Sequence, residues 1–100
     1  MFERTFSAGD VFPVIDLAAT GRSIERLRKA AGCSVRELQR AMGFSSPRAI
    51  YKWQQGQTLP TLDNMVLLSR LLGRGIEEIL VFVGEEEGGS DDVDRPVEAG

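Results

Sequence analysis

Residues 34–60, SVRELQRAMGFSSPRAIYKWQQGQTLP, constrain the fold more than any other stretch of the chain. Ser34 and Glu37 form a capping box, with serine at the N-cap and glutamate at the third helical position. Val35, Leu38, Ala41 and Met42 then make an apolar stripe that Gly43 ends. Ser46 and Pro47 open a second helix, serine as its cap and proline where a missing N–H costs nothing. Gly56 stops it. The spacing therefore predicts two short helices joined by a tight turn at Gly43-Phe44-Ser45. On the second, Ala49, Ile50 and Trp53 share one face, and Arg48, Tyr51 and Lys52 the other.

The flanks supply further helices. Asp16 is placed to cap a helix starting near Leu17, and Leu17, Thr20, Ile24, Leu27 and Ala31 follow three- and four-residue steps. Gly21 weakens that pattern, which leaves Thr20 or Ser23 as later starting points; Gly32 is the stop. Thr61 caps a fourth helix, with Leu62, Met65, Val66, Leu68, Leu71 and Leu72 apolar and Gly73 at its end. A short fifth helix is expected over residues 76–82. Residues 1–12 have no periodicity, and Phe12-Pro13-Val14-Ile15 reads as extended or turn-like. The tail GEEEGGSDDVDRPVEAG is acidic and glycine-rich, and is expected to be disordered. The chain thus divides into an N-terminal extension (1–15), an all-α, compact five-helix bundle (16–83) and an acidic tail (84–100).

Charge narrows the function. The 100 residues carry a net charge of -3, but unevenly. Residues 20–82 hold ten basic and five acidic side chains, a net +5, whereas residues 83–100 carry -6 and residues 1–19 carry -2. A positive middle steers polyanions whatever the overall sign. The chain has no histidine, one cysteine (Cys33), no phosphate-cradling glycine loop and no metal-spaced cluster, so neither an enzyme, a cofactor nor a metal is expected. The tail acids are not held rigidly enough to grip a cation. No apolar run approaches the ~18 residues of a membrane helix. The N-terminal residues lack the pattern of a secretory signal. A lone cysteine suits a reducing compartment, so a cytoplasmic location is expected.

Two helices around a tight turn, the second bearing Arg48, Tyr51 and Lys52 outward, are the layout of a helix-turn-helix whose second helix enters a DNA major groove. The wider pattern resembles the Cro/repressor-type (XRE-like) helix-turn-helix domains, which have a lambda repressor-like five-helix fold. The resemblance runs over residues 20–83 and is carried by Ile24, Leu27 and Arg28 before Gly32, by Glu37-Leu38, by Gly43, Ile50, Trp53 and Gly56, and by Pro60. Residues 49–54, 59–64 and 78–80 look like a bacterial subset of small regulators. Three departures stand out. Gln54 replaces a glutamate that in many members pairs with the arginine matching Arg28, so Arg28 keeps an amide acceptor, loses a neutralising charge and is freer to meet a phosphate. The stretch from Gly43 to Gly56 is one residue longer than in the phage repressors. Val35 stands where several relatives carry a polar residue that touches phosphate.

The resemblance implies a sequence-specific transcriptional regulator, a repressor acting as a homodimer on double-stranded DNA. The expected base readers are Ser46, Arg48, Tyr51 and Lys52, against the alternative of a solvated charged face. The expected phosphate contacts are Arg28, Ser34, Val35, Arg36, Gln55, Gln57 and Thr58, each set against an ordinary surface role. Trp53 is expected in the core, Cys33 as a small buried hydrophobe, and Tyr51 either against a thymine methyl or idle. Val81, Phe82 and Val83 are candidates for a dimer seam or for completing the core. The tail either solubilises the chain or folds back onto the basic face. The competing function is a protein-interaction module, such as an antitoxin or accessory subunit, that keeps the fold and binds another protein; an antitoxin that does both would grip its partner through residues 2–15.

Overall fold

The computed structural model describes residues 14–85; the expectations for residues 1–12 and for most of the acidic tail lie outside them. Five helices follow in order: α1 (Leu17–Ala30), α2 (Val35–Ala41), α3 (Arg48–Gln54), α4 (Leu62–Leu72) and α5 (Ile76–Ile79). The fold is all-α, with an isolated antiparallel β-bridge between Ile15 and Phe82.

Side-chain caps set three of the starts. Asp16 accepts the Ala19 N–H at 3.0 Å, which fixes the earliest of the starts considered for α1. Ser34 and Glu37 close the expected capping box on α2, and Thr61 accepts the Asn64 N–H at 3.2 Å to start α4. The start of α3 differs from expectation by one residue. Pro47 is the N-cap rather than the first helical residue, and Ser46 Oγ accepts the Arg48 N–H at 3.3 Å from one position further out.

One core joins all five helices: Ile24 and Leu27 of α1, Leu38 and the adjoining Met42 of α2, Ile50 and Trp53 of α3, Met65, Leu68 and Leu72 of α4, and Ile79 of α5. Each such side chain contributes roughly 1.5–3 kcal/mol by leaving water. The apolar stripes are narrower than the sequence suggests. Ala31 and Ala41 are exposed, and so are Leu17, Leu62, Val66 and Leu71.

α5 ends at Ile79, short of the expected residue 82, because Leu80 turns extended (φ -74°, ψ 141°). The backbone of Val81 finds partners outside any helix. Its N–H donates to Thr20 Oγ at 3.0 Å, and its carbonyl accepts from the Asp16 N–H at 2.8 Å. The Val83 N–H donates to the Val14 carbonyl at 2.7 Å. Val14 and Ile15, assigned by sequence to the extension, thus pair with the end of the bundle. Thr20 and Ser23, fully buried polar residues on α1, serve this junction; Ser23 Oγ donates to the Glu78 carbonyl at 3.4 Å. Val81, a candidate for the dimer seam, is buried here and completes the core side of the junction.

Candidate nucleic-acid interface

α3 is held on three sides. Ile50 and Trp53 face inward, 0% and 4% exposed, and the Trp53 ring meets Phe44 edge-on with centroids 5.8 Å apart. Trp53 is a core residue, as expected. At the far end, α1 crosses so closely that it needs glycine. A Cβ on Gly21 would overlap the Trp53 carbonyl oxygen and lie 2.7 Å from that of Gln54. Gly56, which ends α3 at φ +75°, would with a Cβ come within 2.9 Å of Ala18 Cα. Gly21 therefore marks the site of closest approach rather than a weak point in α1.

The third hold is Arg28, only 8% exposed. Its Nε donates to Gln54 Oε1 at 2.9 Å and its Nη1 to the Cys33 carbonyl at 2.8 Å. The amide of Gln54 thus takes the bond expected of it. The guanidinium expected to be free for a phosphate is turned into the protein, tying α1 to α3 and to the loop before α2.

The turn between α2 and α3 is equally fixed. Gln39 Nε2 donates to the Phe44 carbonyl at 3.3 Å, and the Phe44 N–H returns a bond to the Gln39 carbonyl at 3.0 Å. Ser45 and Ser46 project beyond this turn and line a cleft on either side of it. One, of about 310 Å³, runs along α3 between Phe44, Arg48, Ala49 and Lys52. The other, of about 360 Å³, lies between α2 and α3, with Arg36, Gln39 and Arg40 on one wall and Pro47 and Tyr51 on the other.

Of the expected base readers, Ser46, Arg48 and Lys52 lie together, whereas Tyr51, 45% exposed, lines the opposite cleft with Arg36. Among the described residues no carboxylate pairs with Arg36, Arg40, Arg48 or Lys52, while Lys29 is paired with Glu25 at 3.1 Å. Gln55, Gln57 and Thr58 are exposed just past α3, where Gln57 Nε2 donates to Gln55 Oε1 at 2.7 Å. At the start of α2 the Ser34 N–H donates to Glu37 Oε1 at 2.9 Å, and the Val35 side chain packs on the core. Gln39 and Arg40 were not singled out in the sequence. The signal for Arg40 was its position one turn after Arg36. Cys33 is half-buried against the core, and burial, helped by the neighbouring Glu37 carboxylate, pushes its thiol up against the opposing pull of Arg28. No helix among the described residues is long and apolar enough to cross a membrane.

The helix-turn-helix family model matches residues 24–79, a span that holds α2, the turn and α3. Solved structures that share the fold include two regulators. The restriction-modification controller protein C.AhdI from Aeromonas hydrophila is 26% identical with a TM-score of 0.58, the match covering 64% of this chain and 96% of that one. The clp gene regulator ClgR from C. glutamicum is 21% identical with a TM-score of 0.55, covering 62% of this chain and 79% of that one. No curated protein matches the chain. The family match takes in the capping box, the glycine turn and the locked second helix described above, and by it the chain belongs to the XRE-type helix-turn-helix family of DNA-binding transcriptional regulators.

Proposed function

We propose that the chain binds a specific duplex DNA sequence as a homodimeric repressor, with α3 reading the major groove. The observation that carries this reading is the set of four cations, Arg36, Arg40, Arg48 and Lys52, exposed around the turn with no carboxylate partner among the described residues. Such charges neutralise phosphates and release counterions, which supplies most of the affinity. Ser46, Arg48 and Lys52 line the α3 cleft and are the proposed base readers. The Arg48 fork suits guanine O6 and N7, worth roughly 1–3 kcal/mol of discrimination. Arg36, Gln55, Gln57 and Thr58 are the proposed phosphate contacts. Arg28 and Ser34 are left out, because the first is buried and bonded inward and the second gives its N–H to Glu37; Val35, whose side chain packs on the core, offers only its backbone N–H.

α3 has seven residues and so spans only about 10 Å, enough for one half-site. A two-fold pair of such heads reads two half-sites one helical turn apart. Leu62 and Val66, 75% and 38% exposed and one turn apart on α4, offer the apolar surface for joining them. The test is selection from a randomised duplex pool by the full chain. A two-fold-symmetric motif is expected. A pool without enrichment contradicts sequence-specific binding, and a single unpaired half-site contradicts the dimer.

A further inference from the structure

We infer that the cleft between α2 and α3 is a phosphodiester seat, gripped by Arg36 and Arg40 with Tyr51 as its far wall, and that Tyr51 works on the DNA backbone and not on base edges. The inference rests on the DNA-binding reading above, which counts Arg40 only among the cations around the turn and gives Tyr51 no role.

Arg36 and Arg40 stand one turn apart on the same exposed face of α2. Like charges at that spacing repel each other. On α1, by contrast, Lys29 at the same spacing is paired with Glu25 at 3.1 Å. Here two fixed positive charges share one wall, and none of the described carboxylates answers them. An external anion removes the repulsion. The remaining lining suits an anion too. Ser45, Ser46 and Tyr51 bring hydroxyl donors, and no acidic residue lines the cleft. One of its lining residues, Gln39, is tied to the turn, since it brackets Phe44 through both its amide and its backbone carbonyl.

A phosphodiester is favoured because the cleft shares Ser45 and Ser46 with the neighbouring cleft that holds Arg48 and Lys52. On the DNA-binding reading, a duplex that takes Arg48 into its groove brings its backbone toward these two serines. The N-terminus of α2 is a poorer seat, because the Glu37 carboxylate already caps it. A planar guanidinium meets two phosphate oxygens at once, and a pair of them holds one group from two sides.

The test is a salt-series titration of the full chain against a set of duplexes of about two helical turns that differ from one another at single base pairs. Wild type is compared with Arg40→Ala, Tyr51→Phe and Arg70→Ala, the last an exposed arginine on α4 outside both clefts. Thermal melts confirm that each variant folds. Arg40→Ala is expected to reduce the slope of log affinity against log salt by about 0.9, the loss of one phosphate contact. Its affinity should fall alike for every duplex sequence. Tyr51→Phe is expected to weaken binding with no change in base preference. Arg70→Ala is expected to leave the slope as in wild type. An unchanged slope for Arg40→Ala, an equal drop for Arg70→Ala, or a change of preference at one base pair with Tyr51→Phe each overturns the seat while DNA binding itself stands. No salt-dependent binding by wild type overturns both readings.

Discussion

Arg28 shows how a single side chain sets what its neighbours are free to do. Buried to 8% exposure, its guanidinium has only neutral acceptors among its hydrogen bonds, the Gln54 amide and the Cys33 carbonyl. A hydrogen bond to a charged acceptor is worth more than one to an amide, by roughly 1 kcal/mol. Gln54 is half-buried, so a carboxylate there keeps part of its hydration. Gln54→Glu is therefore expected to raise stability by about 1 kcal/mol at neutral pH, measured by urea unfolding. The new carboxylate, held beside Arg28, titrates below its unfolded value. Its contribution is complete above the ordinary glutamate range and lost as pH falls through the folded value. Lower stability than wild type at neutral pH would contradict this account of Arg28. The sequence made the Arg28–Gln54 bond legible, because the resemblance marks both positions. Burial of Arg28 was not legible, since an arginine next to a lysine at a helix end reads equally well as surface. The same holds for Thr20 and Ser23, whose buried hydroxyls answer the backbone at residues 78 and 81 far along the chain.

At the scale of elements, α1 and α3 form the closely packed pair on which the proposed reading depends. Gly21 permits the crossing, and its replacement separates two opposed effects. Alanine favours an isolated helix over glycine by about 0.8–1.0 kcal/mol. In this fold its methyl would run into the Trp53 and Gln54 carbonyls, backbone atoms with little room to yield. Overpacking of that kind costs about 1–3 kcal/mol. Gly21→Ala is thus expected to lower the unfolding free energy and, by tilting α3, to weaken DNA binding; greater stability would show that the helices separate readily. Caps and stops were legible element by element, because Asp16, Ser34, Thr61 and the glycines act within a few residues of where they stand. Two boundaries were not. Pro47 became a cap because Ser46 reached its bond from further out. The expected last turn of α5 unwound because the backbones of Val81 and Val83 found partners in the backbones of Asp16 and Val14 and in the hydroxyl of Thr20. Helical periodicity carries no record of such distant pairing.

Across the whole molecule, charge and packing are separated in space. The buried faces of all five helices meet in one core, and four cations with no carboxylate partner among the described residues, Arg36, Arg40, Arg48 and Lys52, lie around the turn between α2 and α3. The sequence placed Arg36, Arg48, Tyr51 and Lys52 on exposed faces, but only the crossing of α2 over α3 shows that Tyr51 sides with Arg36 while Lys52 sides with Arg48. Helical spacing fixes faces within one helix, whereas a cleft needs the angle between two. The central claim is that α3 reads base edges through the cleft of Arg48 and Lys52. The most direct measurement is to sequence the duplexes that Arg48→Ala and wild type each retain from the same randomised pool. The account predicts that the variant loses preference at one base pair of each half-site, by roughly 1–3 kcal/mol, and keeps the rest of the motif. An identical motif, bound uniformly more weakly, would make Arg48 a phosphate contact and contradict the claim.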